Sequence, residues 1–251
     1  MTQPAVSVLI VNWNTRTTTL ACLDALQADT ERAGVSHETI IVENGSCDGS
    51  RQALATRRDI QLIVNDANRG FAAAVNQAYR AAHGDYVLLL NSDVELRPGA
   101  LGELVHFLQD RPDVGGVSPA YLNPDGSVQH HHYRLPSFLT LVASVSNLRR
   151  LRHLQRALRS YRMLDEDFSR PRAVQQPSAS CLLLRRTALP PGPLLNESFP
   201  IYFNDVDLAR RLASRGVPLW MTPDAVVVHE LGASTRLLGT SLARHHLAAL
   251  A

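Results

Sequence analysis

At 251 residues, 45% of them hydrophobic, the chain is long enough for one sizeable core and has the composition of an ordinary soluble protein. Its formal charge of +2 is unevenly spread: all 25 basic residues are arginine, with 9 against 15 acids over residues 1–133 and 11 against 3 over 134–186. Cys22, Cys47 and Cys181 are too few and too scattered for a disulfide framework or a metal-ligand cluster, and no apolar run approaches the roughly 20 residues that span a bilayer. A cytoplasmic protein, neither exported nor integral, is expected. The arginine cluster has only Tyr161 close by, which argues against nucleic acid as a partner.

Taken in chain order, continuous apolar runs of strand length occur at 6–11 (VSVLIV), 39–43 (TIIVE), 60–65 (IQLIVN) and 85–91 (DYVLLLN). Unbroken runs, as opposed to alternating ones, predict strands buried on both faces, as in a parallel sheet. Helical stretches lie between them. Residues 15–26 put Leu20, Leu23 and Leu26 on one face, Asp48 caps a segment leading through Leu54, and 71–82 is rich in alanine. Strand and helix in alternation predict an open α/β sheet, whose ligands sit at the carboxyl ends of the strands. The runs end on polar groups: Asn12, Trp13 and Asn14; Glu43, Asn44 and Gly45; Asn65 and Asp66; Asn91, Ser92 and Asp93. Any one of these serves equally as a helix cap or turn, but parallel strands bring all four to one crevice.

After Asp113 the pattern changes. Residues 114–129 predict a strand and a hairpin turning on Pro124, Asp125 and Gly126. Residues 137–163 follow, with Leu148, Leu151, Leu154 and Leu158 at helical spacing and six arginines from Arg149 to Arg162. This is either a solvated helix packing its leucines inward or a basic amphipathic helix on an anionic membrane surface. A strand over 179–186, a helix over 203–216 stopped by Gly216, and two short strands, 217–221 and 225–229, complete the reading.

Three positions invite chemistry: Asp93 after the fourth strand, Asp205 at the start of the late helix, and His229 closing the last strand. A carboxylate, an imidazole and a diphosphate together suit a hard divalent cation. A carboxylate near a helix N-terminus is kept ionised and suits a general base. Alone, each is equally a structural histidine or a helix cap. A dinucleotide site is excluded by NWNTRT at 12–17, where a glycine-rich turn would stand. A nucleotidyltransferase lacks its early glycine-rich, basic loop.

The ordered set VSVLIVNWN, VENGSCDGS, NRGFAAAVNQA, LLLNSDVEL, FNDVDLARRL and HELGAST is similar to glycosyltransferase family 2, in particular its bacterial rhamnosyltransferase-like branch. The resemblance implies an α/β GT-A nucleotide-diphospho-sugar transferase fold, a mostly parallel central sheet flanked by helices. It further implies an inverting transferase of cell-surface polysaccharide biosynthesis that uses Mg²⁺ or Mn²⁺ and a dTDP- or UDP-sugar, with L-rhamnose as the branch-level sugar. Its acceptor is a glycan or a polyprenyl-diphosphate-linked glycan, with peripheral membrane contact through the Arg-rich helix. By the same resemblance Val11, Trp13, Glu43, Asn68, Gly70, Phe71, Asn76, Asn91, Ser92 and Asp93 bind the donor, Asp93 and His229 hold the metal, and Asp205 is the catalytic base. One domain over 1–251 is expected, with a nucleotide-sugar half at 1–118, an acceptor half at 119–236 carrying the basic insert near 137–170, and a C-terminal helix at 237–251. Asn91 and Asn204 stand where relatives have acids, and Ala179 and Ser180 where relatives often have Gly-Ala. Those departures keep open a second reading, a non-catalytic sugar-nucleotide-binding or scaffold subunit.

Overall fold

The structure is a computed structural model that describes residues 4–137, 140, 152–199 and 203–230. The chain runs β1 (Val6–Asn12), α1 (Arg16–Ala33), β2 (His37–Asn44), α2 (Ser50–Ala55), β3 (Gln61–Asn65), α3 (Phe71–Ala81), β4 (Tyr86–Leu90), β5 (Val94–Leu96) and α4 (Ala100–Asp110). It continues with β6 (Gly116–Leu122), β7 (Val128–Gln129), β8 (His132–Tyr133), α5 (Arg152–Tyr161), β9 (Arg172–Val174), β10 (Gln176–Pro177), β11 (Cys181–Arg185), α6 (Asn204–Ala213) and β12 (Leu219–His229). The main sheet has the order β3-β2-β1-β4-β11-β6-β12-β5, with β7 on β6 and β9 on β12.

The expected parallel half is present: β1 pairs in parallel with β2 and β4, and β2 with β3. Next comes a reversal, because β11 is antiparallel to both β4 and β6. β6 therefore points the same way as β4, and β12 joins β6 in parallel. All these parallel strands send their carboxyl ends to one edge. The two short strands expected at 217–221 and 225–229 form one strand, β12, which absorbs the intervening Pro223 by a register shift between Thr222 and Val226.

Continuous apolar runs serve two cores at once. In β1 and β4, Val6, Val8, Ile10, Leu88 and Leu90 face Leu23 and Leu26 of α1 and Leu101 and Leu104 of α4. The alternate residues, Leu9, Val87 and Leu89, face Ala74, Val75 and Ala78 of α3 and Leu208 and Leu212 of α6. Each such side chain, fully buried, contributes about 1.5–3 kcal/mol. The start of α4 is fixed from outside: buried Asp29 on α1 accepts from the backbone N–H groups of Gly99 and Leu101, satisfying donors a helix leaves open and opposing its dipole. The hairpin forms as expected, with Gly126 at φ +84° and Asp125 Oδ1 accepting from Ser127 N.

In α5, Leu154 is buried and Leu158 half-buried while Arg156 and Arg159 are exposed, as is Arg162 just beyond. Leu148, Leu151, Arg149, Arg150, most of HELGAST and the helix expected at 237–251 lie outside the described residues. Among the described residues no helix is long and apolar enough to cross a membrane.

Candidate active site

The exits of β1, β2 and β4 are stitched together by hydroxyls around one buried amide. Asn12 Oδ1 accepts from Thr15 Oγ1 at 2.9 Å and Thr19 Oγ1 at 2.8 Å, and its Nδ2 donates to Ser46 Oγ at 3.1 Å. Thr15 also reaches Ser92 Oγ at 3.0 Å, which ties the network to the segment carrying Asp93. Glu43, buried at the end of β2, accepts from Ser46 N at 2.7 Å. Asn14, at φ 54°, accepts from Cys47 N. Val11 and Trp13 flank this network and are only partly covered.

A second amide cluster forms the neighbouring wall. Asn44 donates to Asn68 Oδ1 and accepts from Arg69 N and from Asn65 Nδ2, while Asn68 Oδ1 also accepts from Gly70 N. The turn at 67–70 lies against Gly45 so closely that a Cβ there would stand 2.6 Å from Ala67 Cα. Gly70 then leads into α3, leaving Asn68 exposed and Phe71 half-buried. Asn76 is placed differently: it is buried, and its amide bonds Leu195 N, Leu195 O and Glu197 Oε1. Asn76 thus ties α3 to the 195–197 segment.

Asp93 and His229 meet because β5 pairs antiparallel with β12, setting Val94 opposite His229, while Glu230 N donates to Asp93 O. His229 Nε2 lies 3.4 Å from Asp93 Oδ1. On the ring's other side Nδ1 faces Gln129 Oε1 at 3.0 Å and His131 Nε2 at 3.4 Å. The Gln129 amide is oriented by its own donations to His229 O and Asn123 Oδ1, so its oxygen accepts and Nδ1 carries the proton. In that tautomer Nε2 is the ring atom facing the carboxylate, and Nε2 and Oδ1 together fit neighbouring positions on a divalent cation, whose ligands at 2.0–2.1 Å stand about 3 Å apart. Among the described residues no cluster of three such ligands exists. Asn91, in place of an acid, links β4 to β11 through its N–H to Ser180 O at 2.8 Å.

Asp205 stands in the first turn of α6, next to Phe203, a non-glycine residue at φ 66°. Its Oδ1 accepts from Val206 N at 2.9 Å and its Oδ2 from Gln176 Nε2 at 3.3 Å. The residue is half-buried, and burial raises its pKa above the ordinary carboxylate value, with the Val206 and Gln176 hydrogen bonds pulling the other way. A small ribbon joins this carboxylate to the Asp93–His229 pair. Gln176 in β10 lies opposite Tyr133 in β8, and Ser178 N donates to His131 O. The ring of His131 packs 4.6 Å from Tyr121 and 5.0 Å from His229. Burial lowers the pKa of His131 to about 3 and of His132 to about 4, so both are neutral near pH 7.

Asn91, Ser92, Asp93 and His229 are thus brought together, Trp13, Glu43, Asn68 and Gly70 line the adjoining strand ends, and Asp205 approaches from the α6 side. Sequence reasoning missed Gln129, His131 and Gln176. The run QHHHY at 129–133, three histidines directly after a hairpin, was the available signal for two of them.

Residues 7–189 match the sequence model of the family described as Glycosyl transferase family 2. An N-acetylglucosaminyl-diphospho-decaprenol L-rhamnosyltransferase of Mycobacterium tuberculosis is 32% identical over 222 residues, covering 82% of this chain and 71% of that protein. Among solved structures, a mannosyltransferase of Pyrobaculum calidifontis in complex with GDP-Man and Mn²⁺ superposes with a TM-score of 0.60 at 20% identity, covering 100% of this chain and 65% of that one. GalNAc-T7 with UDP, GalNAc and Mn²⁺ gives 0.65 at 14% identity, covering 90% of this chain and 44% of that one.

Proposed function

The chain belongs to glycosyltransferase family 2 and has the GT-A fold, and from that premise we propose an inverting transferase in which Asp205 is the base and the acceptor is a lipid-linked glycan. The observation that carries the reading is Asp205 itself, a half-buried residue with a raised pKa, joined by the β8–β10 ribbon to the Asp93–His229 pair. A base whose pKa is drawn up toward the working pH accepts protons more effectively. The 32% identical relative, named for L-rhamnosyl transfer to an N-acetylglucosaminyl-diphospho-decaprenol, supports L-rhamnose as the sugar and a polyprenyl-diphosphate acceptor, and a dTDP- or UDP-linked donor is part of the same proposal.

In this mechanism the acceptor hydroxyl attacks the anomeric carbon from the face opposite the nucleoside diphosphate. The new C–O bond forms as the bond to the diphosphate breaks, and the hydroxyl proton passes to a carboxylate oxygen of Asp205. Trp13 and Glu43 sit where the nucleobase would lie, with Val11 beside them, and Asn68, Gly70, Phe71, Asn91 and Ser92 along the sugar and diphosphate. Asn76 acts by holding the 195–197 segment. Asp93 and His229 would hold Mg²⁺ or Mn²⁺, which when bound neutralises charge gathering on the leaving diphosphate. Asn91 gives this site one charge fewer than an acid would.

Peripheral contact with the cytoplasmic leaflet belongs to the same proposal. Exposed Arg156 and Arg162 share one segment with Arg159, which is paired with Asp165, and basic residues near an anionic surface favour binding to it. Sedimentation with anionic vesicles at low salt, lost at high salt, is the expected result.

The deciding experiment follows nucleoside diphosphate release from dTDP-, UDP- and GDP-sugars, with Mg²⁺, Mn²⁺ or EDTA, with and without lipid-linked acceptor, for the wild type and Asp205→Asn. Metal-stimulated release from one donor, abolished in the variant while donor binding persists, is expected. Undiminished release by the variant removes Asp205 from the base role, and donor binding without release by the wild type favours the sugar-nucleotide-binding subunit.

A further inference from the structure

Among the described residues, three buried side-chain polar atoms lack a hydrogen-bond partner, and two of them belong to neighbours of Asp205: Oε1 of Gln176, whose amide nitrogen donates to it, and Oδ1 of Asn204, which precedes it in the chain. Both side chains are 3% exposed. Their other ends are occupied, Gln176 Nε2 by Asp205 Oδ2 and Asn204 Nδ2 by Phe199 O at 2.8 Å. A buried acceptor left without a donor is destabilising. Packing alone gives no reason to keep two such atoms on the residues that flank one carboxylate in space and in sequence. Amide rotation does not remove the mismatch at Gln176, since it would turn the carbonyl toward an ionised carboxylate. What both atoms require is a hydrogen-bond donor from outside the chain, and a polyhydroxylated sugar brings several.

We propose that Gln176 is a positioning residue for Asp205 and that the carbonyl oxygens of Gln176 and Asn204 form an acceptor subsite, taking hydroxyls of the acceptor sugar adjacent to the one that attacks. This rests on the reading of Asp205 as the base. Oδ2 is fixed from one side by Nε2, and the same amide plane aims its oxygen at the neighbouring hydroxyl. One side chain thereby couples the orientation of the base to the orientation of the sugar. The ionisable groups around Asp205 leave this bond its influence: Tyr121 from β6, Tyr133 from β8 and Tyr161 from α5 are pushed upward by burial and stay neutral, Arg162 lies beside Tyr133 and Tyr161, and Asp207 on the same helix is paired with Arg211.

The test uses the full chain, the N-acetylglucosaminyl-diphospho-lipid acceptor and two variants, Gln176→Leu and Gln176→Glu, with Asp205→Asn as reference. Gln176→Leu removes both functions: acceptor KM is expected to rise about tenfold or more, as for loss of a hydrogen bond in a buried site, while donor Kd stays within about twofold. Loss of the Nε2–H donor also raises the pKa of Asp205, so the acidic limb of the pH–rate profile moves to higher pH. Gln176→Glu keeps an oxygen acceptor but sets a carboxylate against Oδ2, so its acidic limb moves the same way with a smaller change in acceptor KM. Wild-type acceptor KM and an unmoved limb in folded variants would overturn the proposal and assign the two carbonyls to buried water. If Gln176→Leu melts below the assay temperature, an unmoved limb in Gln176→Glu alone overturns it. Full transfer by Asp205→Asn is a different failure, which sinks the base assignment and this subsite with it.

Discussion

Gln129 grips His229 at two points, accepting from the ring Nδ1 at 3.0 Å and donating to the backbone carbonyl of the same residue at 3.1 Å. The clamp fixes both the tautomer and the plane of the imidazole, which leaves Nε2 to face Asp93. Partners of this kind are worth about 10–100-fold in metal affinity. Gln129→Leu is therefore expected to weaken Mn²⁺ binding by that factor in calorimetry or in the EPR signal of free Mn²⁺, without donor or acceptor present. Binding as tight as the wild type's would mean that His229 is no ligand or that His131 alone suffices to orient it.

Asn12 is the node of the first wall, since two threonine hydroxyls and one serine hydroxyl converge on its amide within 3.1 Å. Asn12→Ala leaves these hydroxyls to find partners in a buried space. The expected loss of stability is about 2 kcal/mol or more, read from urea unfolding midpoints. Because Thr15 also holds Ser92, donor affinity is expected to fall with it. A variant as stable as the wild type would show that the hydroxyls re-pair among themselves.

The parallel half of the sheet was legible because its strands are buried on both faces and so carry unbroken apolar runs: Val6, Val8 and Ile10 enter one core and Leu9 the other. Its polar strand ends announced the crevice. The reversal at β11 was not legible, because the run CLLLR fills two cores equally well in either direction. Nor was the single β12, where Pro223 reads as a break but lies in a register shift. Within the site, the chemistry of a carboxylate and an imidazole at strand ends suggested Asp93 and His229 as a pair, and the resemblance gave the pair its metal-binding role. Gln176 gave no signal at all, since an uncharged amide has neither periodicity nor titration to betray it and its partner lies 29 residues away, while Gln129 was marked only by the three histidines that follow it.

Gly45 is required twice over, by φ +77° and by the 2.6 Å that a Cβ would leave to Ala67 Cα. The obstacle is backbone, so it cannot swing aside as a flexible side chain would. Gly45→Ala is expected to cost more than the about 1–3 kcal/mol of a strained backbone alone, and to displace the turn carrying Asn68 and Gly70. Gly34 provides the control, with φ +61° and nothing within 4 Å of a new Cβ. If Gly45→Ala and Gly34→Ala lower Tm equally, close packing of the 67–70 turn has no energetic weight.

Asp205 sets stability against function. Its pKa is raised in the folded chain, burial being the main cause, so between the ordinary carboxylate value near 3.8 and the higher folded value the native state binds more protons than the unfolded one. Stability then falls as pH rises through that window, and the whole penalty is present above it. Asp205→Asn removes the charge and keeps the shape. The variant is expected to be more stable than the wild type at pH 7 in urea unfolding, and the gain should vanish toward pH 3, where the wild-type carboxyl is protonated in both states. A stabilised but inactive variant would fit a charge held at a cost for chemistry. A variant destabilised at every pH would instead mean that the Val206 and Gln176 hydrogen bonds outweigh burial and that the carboxylate belongs to the architecture of α6.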